Sequence, residues 1–415
     1  MASGTGEMFE PLSLPTGLTF AGLAAGLVLG LLLGGTAAAG PVLAVTETLG
    51  TLWLHALQMT IVPLVAALLV TGIARMAETA RAGAMARRTL LAIVAVLAAG
   101  TALAAVLTPL LLDLFPIPAA AGQALEISVQ PQEVPGIADF VLSLVAPNMV
   151  AAAAENAMLP LVVFFALFGV AVARLPEGQR AVMSGFFAAL GNAMLTIIGW
   201  VLWLAPLGVF ALAIGVAARA GGGAFLALGH YILVVASLGF LVLLAAYPVG
   251  VLLGRKSPGA FARAVLPAQA VAFSTQSSLA SLPAMLASCR QLGIREASAD
   301  FVLPLAVAIF RATSPAMNLA VAIYVAKLTG VELTPLTILA GAAVALITTL
   351  GSVSLPGTVS FVASIGPIAL AMGVPIGPLA LLVAVEMLPD IMRTVGNVTM
   401  DVALTASVDQ ARSKD

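Results

Sequence analysis

The sequence predicts an all-α membrane protein with eight transmembrane helices and two re-entrant helical hairpins in inverted repeats. Of its 415 residues, 61% are hydrophobic and 8% are charged, whereas a soluble domain carries about 25% charged residues. Apolar runs long enough to cross a bilayer recur from one end of the chain to the other. Two of the later apolar segments are interrupted in the middle by hydroxyl residues, glycine and proline, which is typical of inverted-repeat membrane folds.

Breaks in hydrophobicity predict the first six spans. The first apolar run ends near residue 39 and is longer than the core of a signal peptide, so we interpret it as a retained helix. Residues 113–139 contain four acids, no base and several prolines, which predicts a loop outside the membrane. The other spans are predicted at residues 43–74, 88–112, 140–173, 181–218 and 225–253, with the fourth interrupted around residues 147–156 and again at Pro160.

The C-terminal part of the chain has a different pattern. Residues 274–283 (STQSSLASLP) and 348–360 (TTLGSVSLPGTVS) interrupt two apolar regions. The first is followed by an apolar segment at 301–327 that contains Arg311, and the second by a segment at 378–408 that carries several charges. The order hairpin, helix, hairpin, helix predicts an inverted repeat with a binding site where the two hairpin tips meet.

Basic residues orient the chain. Thirteen of the 17 Lys and Arg residues fall in alternate connections that must share one side of the membrane, and only Arg219 and Lys327 fall in the opposite set. The positive-inside rule places the larger set and both termini in the cytoplasm, as in a multi-pass protein of the plasma (inner) membrane. Arg311 and Arg393 remain inside the membrane, where a charged side chain needs a partner, a ligand or water.

Redox, metal-cluster and hydrolytic chemistry find little support in the sequence. The single cysteine, Cys289, excludes an internal disulfide, and His55 and His230 are too few and too far apart for a metal cluster. We predict no bound cofactor, no enzymatic activity and no nucleic-acid partner. An intramembrane hydrolase with Ser277 as its nucleophile would lack a suitably placed histidine, and an ion channel is a second alternative.

One polar stripe occurs in the last apolar segment. Glu386, Asp390, Arg393, Asn397 and Asp401 follow one another at steps of four, three, four and four residues, which places them on one face of a helix. At about 1.5 Å per residue the stripe is roughly 22 Å long, most of a hydrocarbon core of about 30 Å. We therefore expect these side chains to form one wall of a buried polar site.

The chemistry of the stripe fits a zwitterion with an acidic side chain. Asp390 would bind the amine, Arg393 one carboxylate through a bidentate fork, and Asn397 with hairpin serines the other carboxylate. The competing interpretation is an internal ion pair between Arg393 and Asp390, one turn away. Thr394 and Asn397 favour a ligand, because such a pair needs no neutral hydrogen-bonding groups beside it.

The stripe and several other segments resemble one known family. The run DIMRTVGNVTMD from Asp390 to Asp401 is similar to the last-helix motif of the dicarboxylate/amino acid:cation symporter family, whose members include glutamate and aspartate transporters. The resemblance implies a glutamate-transporter-like fold and secondary active transport of an acidic amino acid. Further similarities follow in the same order at residues 49–73, 146–169, 205–212, 277–283 and 301–305.

The resemblance also implies roles for individual residues. Asp390 would hold the substrate amine and Arg393 its side-chain carboxylate. Because family members for plain dicarboxylates usually lack the acid three residues before the arginine, Asp390 favours an amino acid over a C4-dicarboxylate, which is the alternative substrate. The implied substrate-binding residues are Asp390, Arg393, Thr394 and Asn397 on the last helix, Ser277 and Ser278 at the first hairpin tip, and Pro356 and Gly357 at the second tip, which would act as the external gate.

A division into two parts is implied as well. Residues 16–74 and 140–219 would form a trimerisation scaffold in the lipid bilayer. Residues 88–112 and 225–408 would form a transport part that moves as an elevator within a homotrimer and gives alternating access.

The chain departs from the family in the seventh helix. The family's Asn-Met-Asp-Gly-Thr sodium motif falls at residues 310–314, where Phe310, Arg311 and Ala312 have no side-chain oxygen for a hard cation. Asp401, which the family uses for another sodium, is present. We expect Arg311 to replace the lost cation, with coupling through protons on Glu386, Asp390 or Asp401, or no coupling. The alternative is that Arg311 neutralises Asp401 or Asp390 in a sodium transporter with fewer sites.

Overall fold

A computed structural model describes residues 16–34, 36, 39–81, 83–118, 137–220, 223–351 and 357–412 of the chain. These residues form helices and connecting turns, and no β-strand occurs among them. The predicted class, an all-α membrane protein, is thereby confirmed, while the arrangement of eight spans and two re-entrant hairpins stays a prediction. In the part of the chain that the structure describes, five helical stretches are long and apolar enough to cross a membrane: Ala39–Arg81, Ala84–Leu114, Glu177–Trp203, Phe225–Leu253 and Glu296–Thr329.

The helices of residues 16–220 follow the predicted spans, but the second and the fifth span are each divided. The second is interrupted at Met59 and Thr60, and the fifth at Leu204. Pro206 lies in the first turn of the helix that follows Leu204, where a proline is well tolerated because no amide donor is needed. In order, the helices are α1 (Thr16–Leu33), α2 (Ala39–Gln58), α3 (Ile61–Arg81), α4 (Ala84–Leu114), α5 (Ile137–Ser143), α6 (Met149–Ala154), α7 (Met158–Val172), α8 (Glu177–Trp203) and α9 (Ala205–Ala220).

The fourth predicted span is interrupted on both sides of the short helix α6. The side chain of Asn148 caps this helix by accepting hydrogen bonds from the amides of Val150 and Ala151. The predicted second break at Pro160 is wrong. Pro160 is the third residue of α7, a position at which the helix leaves its amide donors unused, so the proline does not interrupt it.

Helices α1 and α9 approach each other backbone to backbone. A Cβ atom added at Gly22, Gly26 or Gly30 would lie 2.5 Å from a carbonyl oxygen of α9, so a side chain on this face of α1 would push the helices apart. Trp53 of α2 lies against Gly208 of α9. Helices α1, α2 and α9 therefore form one tightly packed group.

The C-terminal helices are interrupted more often than predicted. The first predicted hairpin interruption is present at residues 276–281, where Gln276 has a left-handed backbone conformation (φ 51°). A further break, which was not predicted, divides the seventh predicted span at residues 310–313, directly before Pro315 in the first turn of the next helix. The helices are α10 (Gly223–Pro248, continued by a π-helical turn Val249–Leu253), α11 (Pro258–Thr275), α12 (Leu282–Gln291), α13 (Glu296–Ile309), α14 (Ser314–Thr329), α15 (Pro335–Gly351), α16 (Gly357–Ala371), α17 (Gly377–Leu382, continued by a 3-10 turn Val383–Val385) and α18 (Met387–Arg412).

The divided seventh segment lies at the centre of these helices. In its most apolar stretch 94% of the residues are buried. Helix α14 packs on α4, α10 and α15, and α18 packs on α10, α11 and α13. The break at residues 310–313 therefore faces α18 in the interior of the protein.

Candidate functional site

The polar stripe lies on α18 and is buried along its whole length. Glu386 is located directly before the first turn of the helix, and Asp390, Arg393, Asn397 and Asp401 follow within it. The exposed fractions of these five residues range from 0% at Asp401 to 6% at Asp390. Since ionised side chains are unfavourable at such depth, their charges require compensation by neighbouring groups.

Arg393 is the centre of a hydrogen-bonded cluster. Its Nη2 donates to Oε1 of Glu386 at 2.7 Å, and its Nε lies 3.1 Å from Oδ1 of Asp390. Its Nη1 donates to Oδ1 of Asn318 on α14 at 2.8 Å, and the second oxygen of Glu386 accepts from the hydroxyl of Tyr231 on α10 at 3.1 Å. The internal pair of Arg393 with Asp390 is thus present, and Glu386 is a second anionic partner that the sequence did not reveal.

Arg311 adds a second buried cation to this region. It lies in the break between α13 and α14, is 9% exposed, and interacts electrostatically with Asp390 and Arg393. Two guanidinium groups and the carboxylates of Asp390 and Glu386 therefore share one buried volume. This position fits both a built-in cation and a neutralising partner of Asp390, so the role of Arg311 stays a prediction.

The same break also reaches Asn397. Oδ1 of Asn397 accepts hydrogen bonds from the amide and from the hydroxyl of Thr313, both at 2.9 Å. Because a backbone amide only donates, the oxygen of the Asn397 side chain must face Thr313, which leaves its amide nitrogen for another acceptor. Thr394 donates its hydroxyl to the carbonyl of Asp390 at 3.0 Å, so its oxygen can still accept.

Asp401 lacks a compensating partner among the residues that the structure describes. It is fully buried, and neither of its carboxylate oxygens has a hydrogen-bond partner among the described residues. An ionised carboxylate in such a place is unfavourable by several kcal/mol, so the group requires a proton or a bound cation. By contrast, Phe310, Arg311 and Ala312 supply no side-chain oxygen. Asp401 therefore offers a carboxylate ligand to a sodium ion, whereas the side chains of residues 310–312 offer none.

The first hairpin tip belongs to the same group of helices. Ser277 and Ser278 are half-buried in the turn between α11 and α12, and both of these helices pack on α18. The hydroxyl oxygen of Ser277 accepts from the amide of Ala280 at 3.2 Å within the tip. At the second predicted tip, Pro356 lies outside the described residues and Gly357 opens α16. Substrate contacts from either tip stay predictions.

Three residues that contact the polar stripe were not predicted from the sequence. Tyr231, Asn318 and Thr313 contact the stripe from α10, α14 and the preceding break. Each is a polar residue in an otherwise apolar segment, and this is the signal that could have identified them. Their partners on α18 could not be read from the spacing of a single helix.

A buried charged site at breaks in the helices of an apolar protein is typical of secondary transporters. The chain belongs to the sodium:dicarboxylate symporter family, whose family model matches residues 16–411. The resemblance seen in the last-helix motif is therefore confirmed. The protein is an integral membrane transport protein and not an enzyme.

Relatives of known activity differ in their substrates and ions. The chain is 28% identical over 361 residues to the proton/glutamate-aspartate symporter of Escherichia coli (strain K12), with 84% of this chain and 81% of that protein covered. It is 26% identical over 390 residues to the proton/sodium-glutamate symport protein of Bacillus subtilis (strain 168), with 92% and 88% covered. Neutral amino acid transporter B(0) of Homo sapiens is 31% identical over 252 residues, which are 59% of this chain and 45% of that protein. Substrate and ion must therefore be inferred from the site itself.

Proposed function

We propose that this protein is a secondary active transporter that carries an acidic amino acid, such as aspartate or glutamate, across the membrane by alternating access. The observation that carries the proposal is the buried guanidinium of Arg393 between the carboxylates of Asp390 and Glu386. An acidic amino acid offers carboxylates to the guanidinium and an amine to Asp390. The two bacterial relatives, whose names include glutamate, support the same substrate class.

Arg393 has donors to spare for a substrate carboxylate. A guanidinium has five N–H groups, and among the described residues Glu386, Asp390 and Asn318 take up three of them. One hydrogen is left on each terminal nitrogen. A substrate carboxylate that binds there shares Nη2 with Glu386, so the two anions compete for the positive charge of the guanidinium. The amide nitrogen of Asn397 can bind the second carboxylate. A C4-dicarboxylate, which the family's description favours, lacks the amine that Asp390 would bind.

Charge balance argues for the co-transport of cations. The carboxylates of Glu386 and Asp390 face the guanidinium groups of Arg311 and Arg393, so these four groups are neutral together. An acidic amino acid brings one further negative charge to this depth, and an ionised Asp401 would bring another. Protons on Glu386 and Asp401 would cancel both charges, and protonation of Glu386 would also release Arg393 for the substrate.

Protons suit this chain better than sodium near Arg311. A guanidinium in the position of a lost cation site repels a second cation, and the adjacent side chains of Phe310 and Ala312 have no oxygen with which to bind one. We propose that Arg311 is a built-in cation that replaces one coupling ion. The carboxylate of Asp401 could hold either a proton or a sodium ion.

The assembly follows from the family expectation. We propose a homotrimer in the plasma (inner) membrane with both termini in the cytoplasm, in which residues 16–74 and 140–219 form the scaffold and residues 88–112 and 225–408 form the moving transport part. The packing of α1 and α2 on α9, and of α3 on α7 and α8, supports a separate scaffold.

Uptake of radiolabelled aspartate into proteoliposomes tests substrate and coupling together. With an acidic exterior, an alkaline interior and no sodium, we expect aspartate to accumulate above its external concentration, because protons enter with it. At equal pH, an inward sodium gradient should add little.

Each of the other possible outcomes of the uptake measurement points to a different mechanism or function. Accumulation driven by sodium and not by the pH gradient would contradict proton coupling. Uptake of succinate, but not of aspartate, would favour the dicarboxylate alternative. Single-channel currents without saturable uptake would identify an ion channel.

A further inference from the structure

Tyr231 holds the free oxygen of the carboxylate that neutralises Arg393. Its side chain on α10 is fully buried, and its hydroxyl donates to Oε2 of Glu386 at 3.1 Å. The other oxygen, Oε1, accepts from Nη2 of Arg393 at 2.7 Å. The carboxylate of Glu386 is therefore a bridge between α10 and α18, with one oxygen fixed by each helix.

The ring of Tyr231 is fixed from a second side. It packs edge to face against Tyr324 of α14, with ring centroids 5.4 Å apart and an interplanar angle of 74°. Tyr324 is itself anchored, since its hydroxyl donates to the carbonyl of Ala227 at 3.1 Å and lies 3.2 Å from Nδ1 of His230. This packing leaves the hydroxyl of Tyr231 aimed at Glu386. The hydroxyl of Tyr324 has its partners elsewhere.

The charged groups around Glu386 are few and identifiable. Arg393 and Asp390 face it from α18. Arg311, in the break before α14, interacts with Asp390 and Arg393. Tyr231 is the group that faces it from α10. The strength with which Glu386 holds Arg393 therefore depends on a neutral hydroxyl as well as on charge, because a hydrogen bond to a carboxylate stabilises its ionised form.

We infer that Tyr231 is a positioning residue that sets the affinity for substrate by holding Glu386 against Arg393. The inference rests on the proposed function, in which a substrate carboxylate competes with Glu386 for the guanidinium. Without the hydroxyl, the ionised form of Glu386 loses one of the two hydrogen bonds that stabilise it, so the carboxylate takes up a proton more readily and then releases Arg393. Substrate then binds more tightly and leaves more slowly.

Tyr231→Phe tests this by removing a single oxygen atom. In full-length protein we expect the Kd for aspartate to fall about threefold to tenfold, which is part of the free energy of one charge-assisted hydrogen bond. KM and kcat of uptake should fall together. A purely structural defect would lower kcat or the active fraction without lowering KM. Tyr247→Phe, which removes a hydroxyl of the same helix that contacts Gln269 and not Glu386, should leave the Kd within about twofold.

A double-mutant cycle decides whether Tyr231 acts through Glu386. In the Glu386→Gln background the effect of Tyr231→Phe on the Kd should shrink to less than about twofold, because a neutral amide no longer competes as an anion. An equal effect in both backgrounds would overturn the inference, as would weaker binding in Tyr231→Phe. If the wild-type protein binds no acidic amino acid, the proposed function fails. Thermal unfolding then tests the contact alone: the loss in melting temperature caused by Tyr231→Phe should be at least halved in Glu386→Gln, and strict additivity would refute the contact.

Discussion

Arg311 places a positive charge where insertion of an arginine costs about 2.5–3.5 kcal/mol. The break between α13 and α14 brings it into the electrostatic field of Asp390 and Arg393. A cation that belongs to the chain cannot leave with the substrate, so it neutralises a carboxylate at every stage of transport. A bound sodium ion would neutralise that carboxylate only while the substrate is bound. Arg311 therefore supports the proposal that a built-in cation replaces one coupling ion.

Arg311→Met removes this charge and keeps a shorter, unbranched apolar side chain. The two carboxylates of Asp390 and Glu386 then face Arg393 alone, so an acidic substrate meets an uncompensated negative charge. We expect aspartate uptake at neutral pH to fall at least about tenfold, equivalent to about 1.4 kcal/mol, and to recover in part at acidic pH, where a proton replaces the lost charge. Arg263→Met on the exposed side of α11 is the matched control. Wild-type rates in Arg311→Met would remove the role of this residue.

The individual residues of the site were only partly predictable. The stripe on α18 could be recognised because residues spaced by three or four positions share a helix face. Tyr231 lies 155 positions before Glu386 and Asn318 lies 75 positions before Arg393. Contacts over such separations depend on how the helices pack, which periodicity along one segment does not encode. Glu386 was identified as a candidate, but its pairing with Arg393 depends on the turn that starts α18.

Among the helices, α18 packs closely against the break at residues 310–313, because Gly396 has no side chain there. A Cβ atom added at Gly396 would lie 2.6 Å from the methyl carbon of Thr313. Thr313 donates to Asn397 from both its amide and its hydroxyl. Hydropathy predicted a continuous span here, because a break of four residues hardly changes the mean over a long apolar window. The start of α14 at Ser314 and Pro315 was the local signal for it.

Gly396→Ala should separate these two elements. The added methyl group displaces Thr313, and Asn397 then loses the two donors that orient its amide. We expect the Kd for aspartate to rise about tenfold, as for one or two neutral hydrogen bonds, together with a lower melting temperature. Isothermal titration calorimetry and thermal unfolding measure these changes. Gly185→Ala, on α8 with nothing within 4 Å of the added atom, should leave both unchanged. Unaltered affinity in Gly396→Ala would show that the Thr313 contact does not shape the site.

Across the whole molecule, the packing of the helices supports the proposed division into scaffold and transport parts, which stays a prediction. Helices α1 and α2 pack on α9, and α3 packs on α7 and α8, whereas α4, α10, α14 and α18 surround the buried site. Helix α3 also contacts α15 and α16, so it forms one side of the seam between the groups. If the transport part moves relative to the scaffold, contacts across this seam must change during transport, and contacts within the scaffold must not.

A disulfide across the seam tests this movement, because it would fix one position of the transport part. Gly366 of α16 lies against Ile61 of α3, with 3.0 Å from an added Cβ atom to Cδ1 of the isoleucine. In a Cys289→Ala background, which removes the chain's single cysteine, oxidised Ile61→Cys/Gly366→Cys should lose most aspartate uptake and regain it on reduction.

The control pair Ala67→Cys/Gly191→Cys joins α3 to α8 within the scaffold. An added Cβ atom at Gly191 lies 3.4 Å from that of Ala67, which is close to the separation in a disulfide. Full uptake with the seam cross-linked would exclude movement at this boundary, whereas loss in the seam pair alone would identify α3 and α16 as surfaces that slide past each other.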